Sequence, residues 1–318
     1  MSRGRCALWV KRDDLTAPLY GGNKVRKLEY ILADARARSA TRLVTIGAVG
    51  SHHVLATTLY GTRAGFAVEA GLVPQPRTDH AAEVVRAGIA RGMRALPAGG
   101  YVGVASRVAP RLLARGTYFV TVGGSSVLGS LGYVQAAREL ARQVTAGEMP
   151  EPDVIVAALG SGGTVAGLAA GLELAGMRAK VVGVVVAEPA WAVAFRARSL
   201  ARGCMRRLGA RPRRGWLDER LVIDRRWLGA GYGHATDAGA RATEEAARAG
   251  LALDPTYTAK TFAAALARVE ALQGDPTPKT VLYWHTLSSA PASPLLLGAP
   301  DESALDARVR RLLVTTDE

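Results

Sequence analysis

The sequence is poor in cysteine and lacks a long uninterrupted apolar run. Its two cysteines among 318 residues, Cys6 and Cys204, cannot form a disulfide framework and indicate a reducing compartment. The longest apolar run, Val154–Ala175, is broken by glycines and polar residues, which excludes a membrane-spanning helix there. After the basic first residues only Cys6–Val10 is apolar, which is too short for a signal peptide. We therefore expect a cytoplasmic protein without a membrane partner.

Acidic residues are also few, with 27 Asp plus Glu against 41 Lys plus Arg and a net charge of +14. Such a charge invites a nucleic-acid partner. The arginines are densest between Arg196 and Arg226, where Trp216 is the only aromatic ring and Trp227 follows directly. Neither zinc-ligand spacing nor a helix-turn-helix pattern accompanies them. A compositional preference for alanine and arginine explains the charge more simply, so nucleic-acid binding is not expected.

Lysine is rare, since only six of the 41 basic residues are lysines. Arginine stays protonated and cannot condense with an aldehyde, whereas a desolvated lysine can lose its proton and attack one. Lys24 follows Gly21-Gly22-Asn23 and opens a predicted amphipathic helix over Val25–Arg38. Lys24 is therefore a candidate for covalent chemistry, and the alternative is a surface lysine at a helix start.

Short β-branched runs alternate with alanine-rich helical stretches along the chain, which predicts an α/β fold of parallel sheets covered by helices on both faces. The predicted strands are Leu43–Ile46, Phe66–Leu72, Tyr118–Val122, Val154–Ala158, Val181–Val186 and Val281–Trp284. The other predicted helices are Ser51–Gly61, Ala81–Arg91, Gly129–Ala146, Thr164–Ala175, Ala235–Ala249 and Thr258–Leu272. A glycine-rich break at Val122–Gly132 suggests two lobes, and such folds bind ligands in the crevice between them.

The segment Gly160-Ser161-Gly162-Gly163-Thr164 lies between a predicted strand and a predicted helix. Its glycines let backbone N–H groups converge, its hydroxyls add donors, and the helix start adds a positive dipole, which together suit a phosphate. No Gly-Lys-Ser/Thr follows, and Val165 stands where a dinucleotide fingerprint needs its third glycine. The pattern therefore indicates a smaller phosphorylated ligand, and the alternative is a tight strand-to-helix turn.

Ser51, followed by His52 and His53, stands at the start of another predicted helix. Ser51 is either a plain N-cap or a hydroxyl beside a bound carboxylate. Adjacent histidines on a helix point about 100° apart and cannot chelate one metal together. No other histidine or cysteine has ligand-like spacing, so no metal is expected.

Three further segments carry polar residues in turns: Tyr232 between two glycines, Asp254-Pro255-Thr256-Tyr257-Thr258 before Lys260, and His285-Thr286-Leu287 after a predicted strand. Each alone is more typical of turn chemistry than of catalysis. Together with Lys11-Arg12-Asp13-Asp14-Leu15 and Gly21–Tyr30 they form an ordered set of motifs. That set also includes Gly123-Gly124-Ser125-Ser126 and the 160–164 loop. It resembles the pyridoxal-phosphate enzymes of the D-cysteine desulfhydrase and 1-aminocyclopropane-1-carboxylate deaminase family over nearly the whole chain.

This resemblance implies a two-lobed, tryptophan-synthase-β-like fold (fold type II) and a homodimer. Residues 1–26 and 123–318 would form a large cofactor-binding lobe, and residues 27–122 a small lobe. Lys24 would be the Schiff-base lysine for pyridoxal 5'-phosphate, and Ser51, Tyr232 and Tyr257 would serve catalysis. The implied cofactor-binding residues are Lys24, Asn23, His52, Gly160, Ser161, Gly162, Gly163, Thr164, Thr258 and Thr286.

Threonine at positions 258 and 286 resembles the desulfhydrase branch, because the deaminase branch has a glutamate-bearing site and a leucine there. A neutral hydroxyl leaves the ring nitrogen largely unprotonated, which suits β-elimination better than cyclopropane opening. The resemblance thus implies a lyase that converts a small amino acid, similar to D-cysteine, into a 2-oxo acid, ammonia and sulfide. The alternatives are the deaminase reaction and a cofactor-binding protein with altered or lost catalysis.

Several departures from the family favour the last alternative. His52 replaces an expected asparagine beside the cofactor's phenolic oxygen, and Leu55 replaces an expected arginine. Leu287-Ser288-Ser289 stands where Gly-Gly usually follows His-Thr, and the segment before the strand ending at Lys11 is shorter than in the family.

Overall fold

The structure, a computed structural model, describes residues 6–314 of the chain. Its strands are β1 Cys6–Arg12, β2 Arg42–Ala48, β3 Ala67–Val73, β4 Gln75–Pro76, β5 Met93–Pro97, β6 Thr117–Val120, β7 Val154–Leu159, β8 Lys180–Val185, β9 Leu221–Asp224, β10 Lys279–His285 and β11 Leu313–Val314. Its α-helices are α1 Asn23–Ala37, α2 His52–Arg63, α3 Asp79–Ala90, α4 Tyr101–Leu112, α5 Val127–Thr145, α6 Gly163–Leu174, α7 Ala190–Arg207, α8 Trp216–Arg220, α9 Asp237–Arg248, α10 Thr258–Leu272, α11 Ala292–Leu296 and α12 Ala307–Arg310. Among residues 6–314, no helix is both long enough and apolar enough to cross a membrane.

The described chain divides into two compact units. The first contains residues 6–17, 21–27 and 125–289, and the second contains residues 18–20, 28–124 and 290–314. This division differs from the predicted one mainly in Pro18–Tyr20 and in the stretch after Ser289, which were assigned to the large lobe but fall in the second unit. The predicted boundaries at residues 26/27 and 122/123 are shifted by one and two residues. Leu305, Val309 and Leu312 explain the difference after Ser289, because they are buried in a core of the second unit. The ends of the predicted large lobe, residues 1–5 and 315–318, lie outside the described residues.

The first unit is built on a five-stranded sheet with the order β1-β10-β7-β8-β9, in which every neighbouring pair is parallel. Alternate residues of β7 point to opposite faces, so Ile155 and Ala157 join one core while Val156 and Ala158 join another. Helices α5, α6 and α7 cover the first face, and α9 and α10 cover the second. A strand buried on both faces must be apolar throughout, as Val154–Leu159 is.

The second unit contains a four-stranded parallel sheet with the order β5-β3-β2-β6. One face of β3 packs Ala70 and Leu72 against residues of α2, α3 and the C-terminal segment. Leu43 of β2 packs with Ile31 of α1 in a separate cluster. The short strand β11 pairs with β4 in parallel and holds the C-terminal segment in this unit.

Candidate active site

The turn before Lys24 requires glycine at two positions. Gly22 has a φ of +89°, and its N–H donates to the carbonyl of Asp13 at 2.7 Å. A Cβ on Gly21 would lie 1.9 Å from the carbonyl oxygen of Asp14. Left-handed backbone favours glycine, and the close approach at Gly21 leaves no room for a side chain. Together they fix the point at which α1 begins, at Asn23.

Asn23 forms hydrogen bonds with two other residues that were predicted to bind the cofactor. Its backbone N–H donates to the carbonyl of Thr286 at 3.1 Å. Its side-chain Nδ2 donates to Oγ1 of Thr164 at 3.2 Å. The start of α1, the end of β10 and the glycine-rich loop therefore meet around this asparagine.

Lys24 follows Asn23 and is half-buried. Burial lowers the pKa of its amine to about 8, and the negative charge of Asp254 partly opposes this shift. At pH 7 about one amine in ten is then unprotonated, far more than for an ordinary lysine with a pKa near 10.4. This lowered pKa suits the covalent role that the sequence predicts for Lys24.

The glycine-rich loop forms a cradle at the start of α6. Gly162, with a φ of +93°, is the N-cap of this twelve-residue helix and offers no side-chain cap. The N–H of Gly163 donates to Oγ of Ser125 at 3.1 Å, and Oγ of Ser161 lies 2.7 Å from the same oxygen. A Cβ on Gly163 would lie 2.6 Å from that Oγ, so only glycine fits. Hydroxyls and helix N–H groups around such a cradle suit a phosphate.

Two basic residues beside this loop are absent from the sequence-based site. Lys27 is 1% exposed and its Nζ donates to Oγ of Ser125 at 3.1 Å. Arg196 donates to the carbonyl of Ser125 at 2.9 Å. Burial lowers the pKa of Lys27 well below its usual value, and the positive charges of Lys24 and Arg196 lower it further. Three basic groups held this close call for an anion, and a pyridoxal phosphate group fits that requirement.

These residues were missed for different reasons. Lys27 lies three positions after Lys24 on the same helix, a spacing that places both on one side of it. Ser125 belongs to the Gly-Gly-Ser-Ser motif that contributed to the resemblance, yet nothing in that motif ties it to the 160–164 loop. The helical spacing was a usable signal for Lys27, whereas the position of Ser125 depends on the fold.

Tyr232 and Tyr257 meet beside the loop. Their hydroxyl oxygens are 2.5 Å apart, and a Cβ on Gly160 would lie 3.5 Å from the Tyr257 ring. Lys260, fully buried, donates from Nζ to the carbonyls of Leu228 at 2.7 Å and Gly231 at 2.9 Å. Burial lowers the pKa of Lys260 as well. Lys260 thus holds the loop that carries Tyr232 and is a positioning residue.

Thr258, at the start of α10, is almost fully buried and bonded to Asp254. Its Oγ1 donates to Oδ2 of Asp254 at 2.6 Å, while Oδ1 accepts the backbone N–H groups of Thr256 at 3.0 Å and Tyr257 at 2.7 Å. The carboxylate therefore holds the turn that leads into the helix. Oγ1 of Thr258 also accepts the backbone N–H of Asp254 at 2.6 Å, so Asp254 bonds to this hydroxyl both as donor and as acceptor.

Ser51 and His52 belong to the second unit. Ser51 is the N-cap of α2 and is 7% exposed, but its side chain makes no capping hydrogen bond among the described residues. Nδ1 of His52 lies 2.5 Å from the hydroxyl of Tyr20, and its Nε2 lies 2.9 Å from Nε2 of His80. Within residues 6–314, no three His, Cys, Asp or Glu side chains form a group suited to a metal ion.

Comparison with known proteins places these motifs in a family. The model for the pyridoxal-phosphate dependent enzymes matches residues 2–286. A protein of Pyrococcus furiosus named "Putative 1-aminocyclopropane-1-carboxylate deaminase" is 34% identical over 267 residues, which cover 80% of this chain and 77% of that protein. A D-cysteine desulfhydrase of Yersinia pestis (strain Pestoides F) is 34% identical over 301 residues, which cover 90% of this chain and 87% of that enzyme.

A solved structure described as an ACC deaminase homologue has a TM-score of 0.74 and 28% identity, and the match covers 92% of this chain and 88% of the other. The predicted α/β fold of type II is therefore confirmed, as is pyridoxal 5'-phosphate as the cofactor. A half-buried lysine beside a phosphate-shaped cradle is what such a cofactor needs, and this chain belongs to the pyridoxal-phosphate dependent enzyme family.

Proposed function

We propose that this enzyme is a lyase that removes the β-substituent of a small amino acid, with D-cysteine as its test substrate. The products would be a 2-oxo acid, ammonia and sulfide. One observation carries the proposal: Lys24 has a pKa of about 8 and follows Asn23, whose amide is bonded to Thr164 of the cradle. A relative named D-cysteine desulfhydrase, which aligns with 90% of this chain, supports it.

The described residues suggest how the cofactor is held. Lys24 would bind it covalently, and the 160–164 loop would bind its phosphate with help from Ser125, Lys27 and Arg196. When bound, the pyridoxal group accepts the electron pair that a substrate leaves on losing its Cα proton. The negative charges of the phosphate would then offset the mutual repulsion of the three basic groups.

Two sets of side chains would handle protons. Nζ of Lys24, once released by the incoming substrate amine, would accept the proton from the substrate Cα. The hydroxyls of Tyr232 and Tyr257 lie 2.5 Å apart, and this pair would donate a proton to the departing sulfur. In this scheme the Cα–H and Cβ–S bonds break, and sulfide leaves with the proton supplied by the tyrosine pair.

Ser51 would orient the substrate carboxylate. It stands at the start of the twelve-residue helix α2, where the helix dipole favours an anion. Its hydroxyl does not serve as the helix cap, which fits a role in binding rather than in helix formation.

The deaminase reaction is the second candidate, favoured by the names of the Pyrococcus furiosus relative and of the similar solved structure. Thr258 argues against it, since a threonine side chain carries no negative charge with which to keep a ring nitrogen protonated. A neutral oxygen at this position leaves a pyridine nitrogen unprotonated and weakens the electron sink that ring opening requires.

The experiment is an assay of purified protein with D-cysteine and with 1-aminocyclopropane-1-carboxylate. We expect sulfide from the first and no 2-oxobutanoate from the second. Lys24→Ala should abolish both the cofactor's absorbance band and turnover, while Lys180→Ala, which alters an exposed lysine, should preserve them. Turnover of the cyclic substrate alone would replace the proposal by its alternative. A normal cofactor band without turnover on a panel of D- and L-amino acids would support lost catalysis.

We further propose a cytoplasmic homodimer. Cys6 and Cys204 are free thiols, which suits a reducing compartment. Trp191 and Phe195, one turn apart on α7, are 68% and 70% exposed, and large aromatic side chains of this kind are enriched at protein interfaces. Analytical ultracentrifugation should give twice the chain mass, with the Trp191→Ser and Phe195→Ser double variant shifted toward the monomer.

A further inference from the structure

Three side chains of the second unit form a hydrogen-bonded row from the interior to the surface. Tyr20 is 6% exposed, His52 is half-buried and His80 is exposed. The Tyr20 hydroxyl lies 2.5 Å from Nδ1 of His52, and Nε2 of His52 lies 2.9 Å from Nε2 of His80. His52 therefore uses both ring nitrogens within this row.

The row has a fixed proton count. Two ring nitrogens 2.9 Å apart form a hydrogen bond only when one of them carries a proton and the other does not. A neutral imidazole carries one proton, so a proton that arrives at Nδ1 of His52 obliges the proton at Nε2 to pass to His80. In turn His80 releases its Nδ1 proton to water. No charge accumulates, and the reverse sequence carries a proton inward.

His52 is the first residue of α2, so the row lies at the start of that helix. The neighbouring charged and polar groups have their own partners. Asp79, next to His80, pairs with Arg77 at 3.4 Å, and Arg77 also pairs with Glu302 at 3.0 Å.

Two other polar side chains on α2 also form hydrogen bonds of their own. His53 lies 2.8 Å from Oγ1 of Thr45, and the Tyr60 hydroxyl donates to the backbone carbonyl of Tyr20 at 2.8 Å. The second of these contacts holds the Tyr20 backbone in place.

We infer that Tyr20, His52 and His80 form a proton relay that connects the Ser51 end of α2 with solvent during turnover. The inference rests on the proposed lyase function, because β-elimination followed by hydrolysis to a 2-oxo acid and ammonia moves protons at each step. Ser51 precedes His52 directly in the chain, so the relay adjoins the residue that would hold the substrate carboxylate. The role predicted for His52 from sequence, contact with the cofactor, would require it to give up one of these two hydrogen bonds.

Histidine-selective ¹⁵N NMR of the holoenzyme tests the proton count without any turnover. We expect one protonated and one unprotonated nitrogen among the two facing Nε2 atoms. Tyr20→Phe should shift the nitrogen signals of both histidines, whereas Tyr101→Phe, which alters an exposed tyrosine on α4, should shift neither. Equal protonation of both Nε2 atoms, or a Tyr20→Phe effect confined to His52, would overturn the relay.

Enzyme kinetics test whether the relay operates during turnover. His80→Ala should lower kcat about tenfold, less than the hundredfold that loss of a general acid–base group brings, because water partly replaces it. Added imidazole should restore the rate, and His80→Ala should leave the cofactor's absorbance unchanged. Asp79→Asn, a neighbouring exposed change, should have neither effect. An unaltered rate, or a loss that imidazole does not rescue, would contradict the relay. If the wild-type enzyme turns over no substrate, the proposed function fails and the NMR result alone decides the relay.

Discussion

At the scale of single residues, the first unit places several positively charged side chains in a region where burial disfavours their charge. Burial lowers the pKa of Lys24, Lys27 and Arg196, and all three lie around Ser125 and the 160–164 loop. A folded protein accepts such a cluster when a ligand neutralises it. The sequence allowed Lys24 to be selected because lysine is rare and follows two glycines. It did not reveal the charge cluster, since Arg196 joins it only through the fold.

The lowered pKa of Lys24 has a consequence for stability. Below pH 8 its amine is protonated in both the folded and the unfolded protein, and burial then destabilises the folded form. Between pH 8 and about 10.5 the folded protein loses this proton first, and the penalty disappears. Lys24→Met should therefore stabilise the cofactor-free protein at pH 7 by about 2 kcal/mol. Urea unfolding at pH 7 and pH 10 measures this, and an equal gain at both values would contradict it.

Asp254 is the group that opposes the lowering of the Lys24 pKa. Asp254→Asn removes its charge but retains an oxygen for the N–H groups of Thr256 and Tyr257. We expect the pKa of Lys24 to fall below about 8, because the attraction that favours its charged form is lost. The pKa of Lys24 can be measured by following how the uptake of pyridoxal phosphate by the cofactor-free protein depends on pH. The midpoint of that dependence gives the pKa. Asp218→Asn, at an exposed site on α8, should leave that midpoint unchanged.

At the scale of elements, hydrophobic pattern predicted most helices and strands. All six predicted strands and seven predicted helices have counterparts, and α10 begins and ends where predicted. Helix α7 was not predicted, because its buried face is made mostly of small residues with a single leucine, while arginines occupy its outer face. Strand β9 has only four residues and ends at Asp224, so it offers too short a pattern.

The cradle at the start of α6 predicts a sharp effect of one methyl group. Gly163→Ala places a Cβ 2.6 Å from Oγ of Ser125, which must then move away from Lys27. We expect the dissociation constant for pyridoxal phosphate to rise at least tenfold, or about 1.4 kcal/mol. Titration of the cofactor's absorbance measures it. Gly99→Ala, where a Cβ meets no atom within 4 Å, is the control. An unchanged dissociation constant in Gly163→Ala would argue against this cause.

The loop that carries Tyr232 depends on Lys260. Lys260→Met keeps the length of the side chain but removes its bonds to the carbonyls of Leu228 and Gly231. Two buried carbonyls then lose a charged donor, and we expect a loss of about 2 kcal/mol in the free energy of unfolding. Because Tyr232 is less well held, kcat should fall while the affinity for the cofactor stays the same. A decline in cofactor affinity as large as the decline in kcat would refute this positioning role.

At the scale of the whole molecule, the order of segments along the chain was only partly predictable. The resemblance implied an inserted lobe, but the residues after Ser289 belong to the second unit rather than the first. Their apolar side chains lie on α12, which has four residues, and on the two-residue strand β11. Elements this short have no readable period, so their packing appears only in three dimensions.

Because the residues after Ser289 pack in the second unit, a substitution among them should lower the stability of that unit alone. Leu312→Ala removes a side chain that is 4% exposed in the core formed with Ala70 and Leu72, which should lower stability by about 2–4 kcal/mol. All five tryptophans lie in the first unit, so their fluorescence reports that unit alone. Circular dichroism should therefore change at lower urea than fluorescence. Leu297→Ala, at a site 78% exposed, should alter neither transition, and coincident transitions in Leu312→Ala would disprove independent weakening.

The pairing of β1 with β10 joins Cys6 to Lys279, so β1 takes its place beside a strand that is synthesised much later. At about 5–20 residues per second, a ribosome needs roughly a quarter of a minute to a minute to reach that partner. During that interval Leu8 and Val10 have no neighbour and form an open edge able to attract other nascent chains. The enzyme's yield in a cell therefore depends on how quickly β10 is synthesised and on chaperones that shield β1.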